Sequence, residues 1–414
     1  MDLIIRNAKL LGVEGLRDVG IVDGRISVVQ RNIVSVAEKE IDARGNLLSP
    51  GMVNIHCHLD KCLTGAWAEV WEGAGLGSPQ AIPAATRVKS TFTAADIIDR
   101  ASTALRGSIL AGTTAVRAFA DVDSVGGLLA VKSLLQVKKR FSRALDMQVV
   151  AFPQEGIVRD EGTEELLEKS MELGADVVGA IPWYETNREA AEKHTNVAFR
   201  IAKKYGKDLH ALIDDNSDPG SRNVEYLLRR CLREGYEGRV AASHCRGGLD
   251  SPDEGYARRV ISLARKAGLT VVENSHISLF MYGRKDRHPV RRGVTRVKEF
   301  LEAGVNVAVG QDDMDDPYYP FGRGDMVELA FVMCHAAHLG TPGEIRGAFD
   351  MVTYNPARGM RLPHYGIKVG DYADLVLFDA SSVHEVLRLQ PDRLAVVKRG
   401  RVVAETKTRT KLRL

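Results

Sequence analysis

Residues 50–65 read PGMVNIHCHLDKCLTG, which places His56 and His58 one residue apart at the end of a short apolar run, with Asp60 and Lys61 close behind. On a strand, side chains two apart share a face, so both imidazoles reach one point in space. Two imidazoles at one point suit a metal ion. Groups of the same kind recur further along: His210 in DLHALI, His244 in RVAASHC, and Asp312 with Asp313 in NVAVGQDD. Three imidazoles and a carboxylate fit one divalent ion, Zn2+ or Fe2+, and leave a position for water. A cation of this kind lowers the pKa of its water from about 16 toward about 7, which supplies hydroxide at neutral pH to attack an electron-poor carbon.

Those side chains must be brought together by the elements that carry them. From Met52 onward short apolar runs recur, each followed by a stretch of helical period, the pattern of a parallel sheet built from β-α units. The runs are MVNIHCH, TTAVRAFADV, MQVVAFPQ, DVVGAIPW, DLHALI, RVAASHC, TVVENSH and NVAVGQDD. Helices between them include AADIIDRASTALRGSILAG, TEELLEKSMELG, REAAEKHTNVAFRIAKKYG and RRVISLARKAG, each closing on the Gly that helix C-termini favour. Eight such units over roughly 250 to 300 residues predict a (β/α)8 TIM barrel, whose functional groups lie at the C-terminal strand ends. His56 and His58 end the first strand, His210 lies on the fifth, His244 ends the sixth, and Asp312 and Asp313 end the eighth. All fall at one rim. His194, His335, His338 and His384 read as helical or peripheral without chemistry, and His276 as structural. A binuclear hydrolase of this architecture usually bridges its metals with a modified lysine on or near the fourth strand; strands three and four end in AFPQ and AIPW, which predicts one metal.

The two ends of the chain have another texture. DLIIRNAKLL, GIVDGRISVVQ and EIDARGNLLSP alternate apolar and polar positions around turn signals, and YADLVLFDA and LAVVKRGRVVAE return to that style. Such alternation predicts antiparallel strands with one solvated face. The expected organisation is a small β-sandwich domain of residues 1–50 plus 360–414, built from both termini, around an α/β barrel of residues 51–359. The stretch from Cys62 to Thr93, with Gly, Trp67 and Trp71, reads as a loop over the barrel mouth.

Lys plus Arg total 57 against 54 for Asp plus Glu, and a formal charge of +3 gives no reason to expect nucleic acid or an anionic membrane as partner. No apolar stretch approaches the roughly 20 residues needed to span a bilayer, and MDLIIRNAKL lacks the order of a signal peptide, so a cytoplasmic location is expected. Five cysteines without C-x-x-C spacing fit reduced thiols. Cys57 and Cys245, beside site histidines, face away from them and read as packing residues.

PGMVNIHCHLDK, VAFPQEGI, GADVVGAIPWYE, RVAASH, RRGVTRVKEFLEAGVNVAVGQDDMDDPYYPFGRGDM and YGIKVGDYADLVLF together resemble the amidohydrolase superfamily, cytosine deaminase-like branch, across nearly the whole chain. By that resemblance His56, His58, His210 and Asp312 match the metal ligands, and His244 matches the strand-six histidine that contacts the reacting group. Gln154 matches the residue that hydrogen-bonds a pyrimidine ring, and Tyr318 stands where cytosine deaminases carry an aromatic. Lys61 is read as reaching a substrate carbonyl or anionic ring, and Asp313 as a substrate-facing acid. Arg117 reads as a buried charge paired with Asp121 or another acid. Trp67, Trp71, Trp183 and Tyr184 are candidates to line a pocket for a flat ring.

One departure matters. Cytosine deaminases place a proton-shuttling glutamate three residues after the strand-five histidine; here HALIDDN puts Ile213 there. N-isopropylammelide aminohydrolases also lack that glutamate and resemble this chain in HLDK-like and PFGxGDM segments. The catalytic groups are then His244, as base and then acid, with Asp312 orienting the water; Asp214 is the alternative shuttle. The resemblance implies a metal-dependent aminohydrolase of a small pyrimidine-like or triazine-like N-heterocycle, and a homo-oligomer. Opening of a cyclic amide by the same metal site, and a non-catalytic binding or scaffold barrel, are the alternatives.

Overall fold

The alternating N-terminal segments form β1 (Leu3–Leu10), β2 (Arg17–Val22), β3 (Arg25–Gln30), β4 (Lys39–Asp42) and β5 (Leu47–Pro50). β1, β2 and β3 make an antiparallel meander turned at Asp23 and Gly24. β1 runs parallel to β4 along its first half and parallel to β5 along its second. These two pairings depart from the expected antiparallel arrangement. Apolar alternation reports that one strand face is buried and carries no information on strand direction. The computed structural model describes residues 1–65, 78–284, 286–288, 290, 293–408 and 411–412; Trp67 and Trp71 lie outside them.

The eight apolar runs are the eight barrel strands: β6 (Met52–His58), β7 (Thr113–Asp121), β8 (Asp146–Phe152), β9 (Val177–Ala180), β10 (Asp208–Ile213), β11 (Val240–His244), β12 (Thr270–Glu273) and β13 (Asn306–Val309). Each is hydrogen-bonded to the next in chain order. The ring closes through the site itself, where Asp312 N donates to His56 O at 2.8 Å and His58 N donates to Asp312 O at 2.9 Å. Outward side chains such as Cys57, Val149, Leu209 and Val307 pack beneath the helices. Inward, Val53, Ala115, Ala241 and Val272 rest on Ala357 and Met360, so the floor is sealed and only the opposite mouth admits a ligand. The helices start and stop on local signals. Thr93 Oγ1 accepts from Asp96 N and Asn187 Oδ1 from Ala190 N, N-caps worth about 1 kcal/mol each.

At the far end of the chain β14 (Leu375–Phe378) pairs antiparallel with β5, then with β15 (Arg393–Lys398), which pairs with β16 (Arg401–Glu405). Both ends of the chain thus share one sheet, whose core includes Ile5, Val19, Leu48, Leu375 and Val397. Buried Lys398 ties this sheet to the barrel, donating to Thr114 O at 3.1 Å and to the carboxylates of Asp146 at 2.8 Å and Asp374 at 2.7 Å. Between Cys62 and Thr93 the described residues include a helix, Ser78–Lys89, where the sequence suggested loop alone. Among the described residues no helix is long and apolar enough to cross a membrane. All five cysteines are free thiols, and Cys57 and Cys245 lie in the core between strands and helices.

Candidate active site

β6 delivers His56 and His58 to the barrel interior with their Nε2 atoms 3.2 Å apart. Asp312 Oδ1 lies 3.0 Å from His56 Nε2 and 3.4 Å from His58 Nε2, and Asp312 Oδ2 lies 3.4 Å from His244 Nε2. His56 Nδ1 sits 2.5 Å from Ser243 Oγ, which leaves Nε2 as the nitrogen turned toward Asp312. Burial pushes the His56 pKa down to about 3 and that of His58 down as well, so both rings are neutral. Neutral imidazole nitrogens and a carboxylate converging in a dry interior form a cation site by their chemistry. The donor set therefore fits a divalent ion. Ligand atoms of His56, His244 and Asp312 lie within 4.8 Å of one another, as do those of His58, Asp312 and Asp313.

His210 stands beside this cluster without entering either grouping. Its ring is edge-on to His56 with centroids 5.3 Å apart, its Nε2 is 2.7 Å from Ser243 Oγ and its Nδ1 is 3.3 Å from Arg117 Nη1. Ser243 thus lies between the two imidazoles. Arg117, expected to pair with Asp121 or another acid, is instead held by Gln148 Oε1 at 2.9 Å, Gly359 O and His210. Burial lowers its pKa to about 10.

The two aspartates after β10 have opposite fates. Asp214 is bound by Ser221 Oγ at 2.5 Å, Asn223 Nδ2 at 2.8 Å and Val224 N at 3.0 Å, where it serves the start of helix Asn223–Glu234 and not the cavity. Asp215 faces the cavity, accepts from Tyr282 Oη and lies 3.4 Å from His244 Nδ1. Asn274 on the other flank donates to Asp312 Oδ2 at 3.1 Å and stands 3.3 Å from His244 Nε2. Sequence reading singled out neither Asp215 nor Asn274; the polar run ENS after β12 was the only hint of the latter. The backbone is strained here, with positive φ at His244 (69°), Cys245 (50°) and Asp312 (61°).

A cavity opens above the cluster. Its walls carry His58, His244, Asp312, Asp313, Lys61, Gln154, Trp183 and Tyr318, with apolar Ile82, Leu212 and Ile277 among them. Lys61 is 3 % exposed, which excludes a solvated lysine. Its Nζ donates to Asp121 Oδ1 at 3.0 Å and to Gln154 Oε1 at 3.1 Å. Burial opposes the Lys61 charge, but Asp121 and Asp60 outweigh it and raise its pKa. Burial, reinforced by Asp312, pushes the Asp313 carboxyl well up, and the Asp312 carboxyl rises to about 7 chiefly through burial.

His194, read as helical or peripheral, lies in helix Arg188–Lys204 and is fully buried. Its Nδ1 pairs with Glu185 Oε1 at 2.7 Å and its Nε2 accepts from Ile181 N at 2.9 Å. Glu185 also accepts from the backbone of Ile157 and Arg159, so one hydrogen-bonded pair fixes the loops after β8 and β9 that carry Gln154 and Trp183. Tyr184 packs edge-on against Trp183. His276 Nε2 bonds Gln311 O at 2.6 Å, the structural role expected.

A closed parallel barrel with a buried histidine and aspartate cluster at its C-terminal rim is the architecture of a metal-dependent hydrolase. The chain belongs to the amidohydrolase family, whose model matches residues 90–404, and it is a hydrolase of carbon–nitrogen bonds. That family uses a divalent metal. The chain is 32% identical over 408 residues to the N-isopropylammelide isopropyl amidohydrolase of Pseudomonas sp. (strain ADP), covering 98% of this chain and 97% of the other. It is 30% identical to the pterin deaminase of Rhizobium rhizogenes, covering 94% and 89%. Among solved structures, 5-methylcytosine deaminase from Klebsiella pneumoniae matches with a TM-score of 0.93 and 32% identity, covering 99% of this chain and 100% of that one.

Proposed function

We propose that this protein is an aminohydrolase that removes the exocyclic amine from a pyrimidine-like or triazine-like N-heterocycle. The convergence of His56, His58 and His244 on the Asp312 carboxylate, beside a buried cavity, carries this reading. The relatives named as acting on N-isopropylammelide, pterin and 5-methylcytosine support the ring class. His56, His58 and Asp312 would hold one divalent ion, Zn2+ or Fe2+, with His210 as the further ligand once it turns from Ser243. The ion supplies an activated water as nucleophile.

Everything else falls to the side chains. His244, with Nδ1 toward Asp215 and Nε2 toward Asp312, takes the proton of the attacking water and returns it to the departing amine. Water adds at the ring carbon, the carbon–nitrogen bond breaks, and a ring carbonyl and a free amine result. Asp312 and Asn274 hold the water side of this arrangement, while Asp313 faces the amine. Gln154, Lys61 and Tyr318 bind and orient the ring, and the apolar walls of Ile82, Leu212 and Ile277 exclude bulk water.

The test is amine release by metal-replete protein across a panel of aminopyrimidines, pterins and aminotriazines. His244→Asn is expected to lower turnover at least 100-fold with metal content unchanged, within the roughly 10²–10⁴-fold range of general acid–base catalysis. Full activity in that variant refutes the role of His244. Chelation is expected to abolish turnover and one equivalent of Zn2+ or Fe2+ to restore it; amine release from metal-free protein defeats the reading.

A further inference from the structure

We propose that Tyr282 and Arg246, neither of which lines the cavity, are positioning residues for His244. Arg246 stacked on Tyr282 holds Asp215 where its carboxylate keeps the His244 proton on Nδ1. This rests on the aminohydrolase reading, which gives that imidazole its task, and extends it outward by two side chains.

A histidine that takes a proton through Nε2 must carry its own on Nδ1, and a fixed acceptor beside Nδ1 selects that tautomer. His244 Nδ1 is buried, and among the described residues it meets no hydrogen-bond partner apart from the Asp215 carboxylate, whose Oδ1 stands 3.4 Å away. Asp215 lies past the end of β10, beyond Asp214 with its φ of 50°, so strand geometry does not set its side chain. The Tyr282 hydroxyl does bear on it. Its Oη donates to the same Asp215 Oδ1, and Tyr282 is buried, so the contact is shielded from water.

Tyr282 has a support of its own. The guanidinium carbon of Arg246 lies 3.3 Å from the centroid of its ring. Arg246 is 1 % exposed; Nη2 donates to Asp250 Oδ2 at 2.7 Å, while Nε and Nη1 have no hydrogen-bond partner among the described residues. A guanidinium buried with two nitrogens unmatched is costly, and the face of the Tyr282 ring is the group that compensates. A cation over that face draws electron density from the phenol and strengthens its O–H as a donor to the carboxylate. The charge of Arg246 thus reaches His244 through Tyr282 and Asp215.

The experiment is a double-mutant cycle on metal-replete protein, with two readouts. One is kcat and KM on the best ring of the amine-release panel. The other is imidazole nitrogen NMR of the zinc-loaded protein, with the His244 signals assigned by their loss in His244→Asn. Tyr282→Phe keeps the ring and removes only the hydroxyl; it is expected to lower kcat about tenfold, with KM and bound metal within about twofold of the parent. Arg246→Met is expected to lower kcat at least about threefold in the parent and to add nothing in Tyr282→Phe, because its influence travels through that hydroxyl. Tyr282→Phe is likewise expected to add nothing in Asp215→Asn, an arm that decides the matter even where Arg246→Met does not fold. The parent should hold His244 as the Nδ1–H tautomer and Tyr282→Phe a mixture of both. A parental kcat and tautomer in Tyr282→Phe, or losses that add in full across the cycle, overturn the inference and leave the aminohydrolase reading standing. Amine release from no ring defeats that reading and the inference together.

Discussion

Asp214 and Asp215 are identical in type and adjacent in sequence, yet one supports a helix and the other faces the cavity. β10 ends at Ile213 and Asp214 takes a positive φ of 50°, so the two-residue alternation that orients strand side chains no longer applies beyond it. Sequence reasoning reached Asp214 because it neighbours Ile213, the position of the family's glutamate, and passed over Asp215 because that break is not written in the sequence. With its carboxylate 3.4 Å from His244 Nδ1, Asp215 is a positioning residue for that imidazole. Asp215→Asn is expected to lower kcat by about 10- to 100-fold, the usual effect of losing a partner behind a functional imidazole. Asp214→Asn should instead lower the urea midpoint more than kcat. Steady-state kinetics paired with urea denaturation of both variants separates the two roles, and equal kcat for Asp215→Asn and the parent protein would refute the assignment.

At the scale of elements, the site is made where strand ends depart from regular geometry. Gly310 follows β13 directly, and a Cβ there would meet Asn274 Oδ1 and His56 Cβ, each at 2.6 Å. Neither neighbour yields cheaply, since both belong to the cluster around Asp312. Gly310→Ala is accordingly expected to cost about 1–3 kcal/mol of stability, the range for overpacking a filled interior, and to reduce bound metal. Urea denaturation and metal analysis of the same preparation check both; unchanged values would show that the strand ends have room to adjust. The barrel strands themselves were legible because each is a short apolar run followed by a helix-period segment. Helix Ser78–Lys89 was not, because Pro83 and the scattered Gly and Ser around it mask its periodicity.

At the scale of the whole molecule, Lys398 is the polar fastening between the sheet of the chain ends and the barrel. Replacing it by Met takes the nearer cation from buried Asp374, which keeps Arg399 at 3.5 Å, while partly exposed Asp146 keeps Arg399 at 2.9 Å. Loss of one partner from a buried pair costs about 3–5 kcal/mol, and the exposure of Asp146 trims the expectation to about 2–3 kcal/mol. The pH dependence follows the same fastening. Burial would raise the Asp146 pKa, but Lys398 and Arg399 outweigh it and hold it below its ordinary value. The unfolded chain takes up the proton first as pH falls, near the usual aspartate value of about 3.9. This contribution to stability is complete above that value and is lost as pH drops through the lower folded pKa. Urea midpoints between neutral and strongly acidic pH should therefore fall less steeply in Lys398→Met than in the parent protein, and parallel curves would count against the fastening.

Sequence alone determined the number and order of the barrel strands, the rim on which His56, His58, His244 and Asp312 stand, and the pairing of the two chain ends. These follow from apolar periodicity and strand-end position, which are local properties of the chain. Only the tertiary structure decided that β1 pairs in parallel, that Asp215 and not Asp214 lines the cavity, that Ser243 stands between His56 and His210, and that Lys61 is held by Asp121 and Gln154. Each depends on groups dozens or hundreds of residues apart meeting in a dry interior, where one unmatched donor or acceptor is costly enough to fix the orientation of its neighbours.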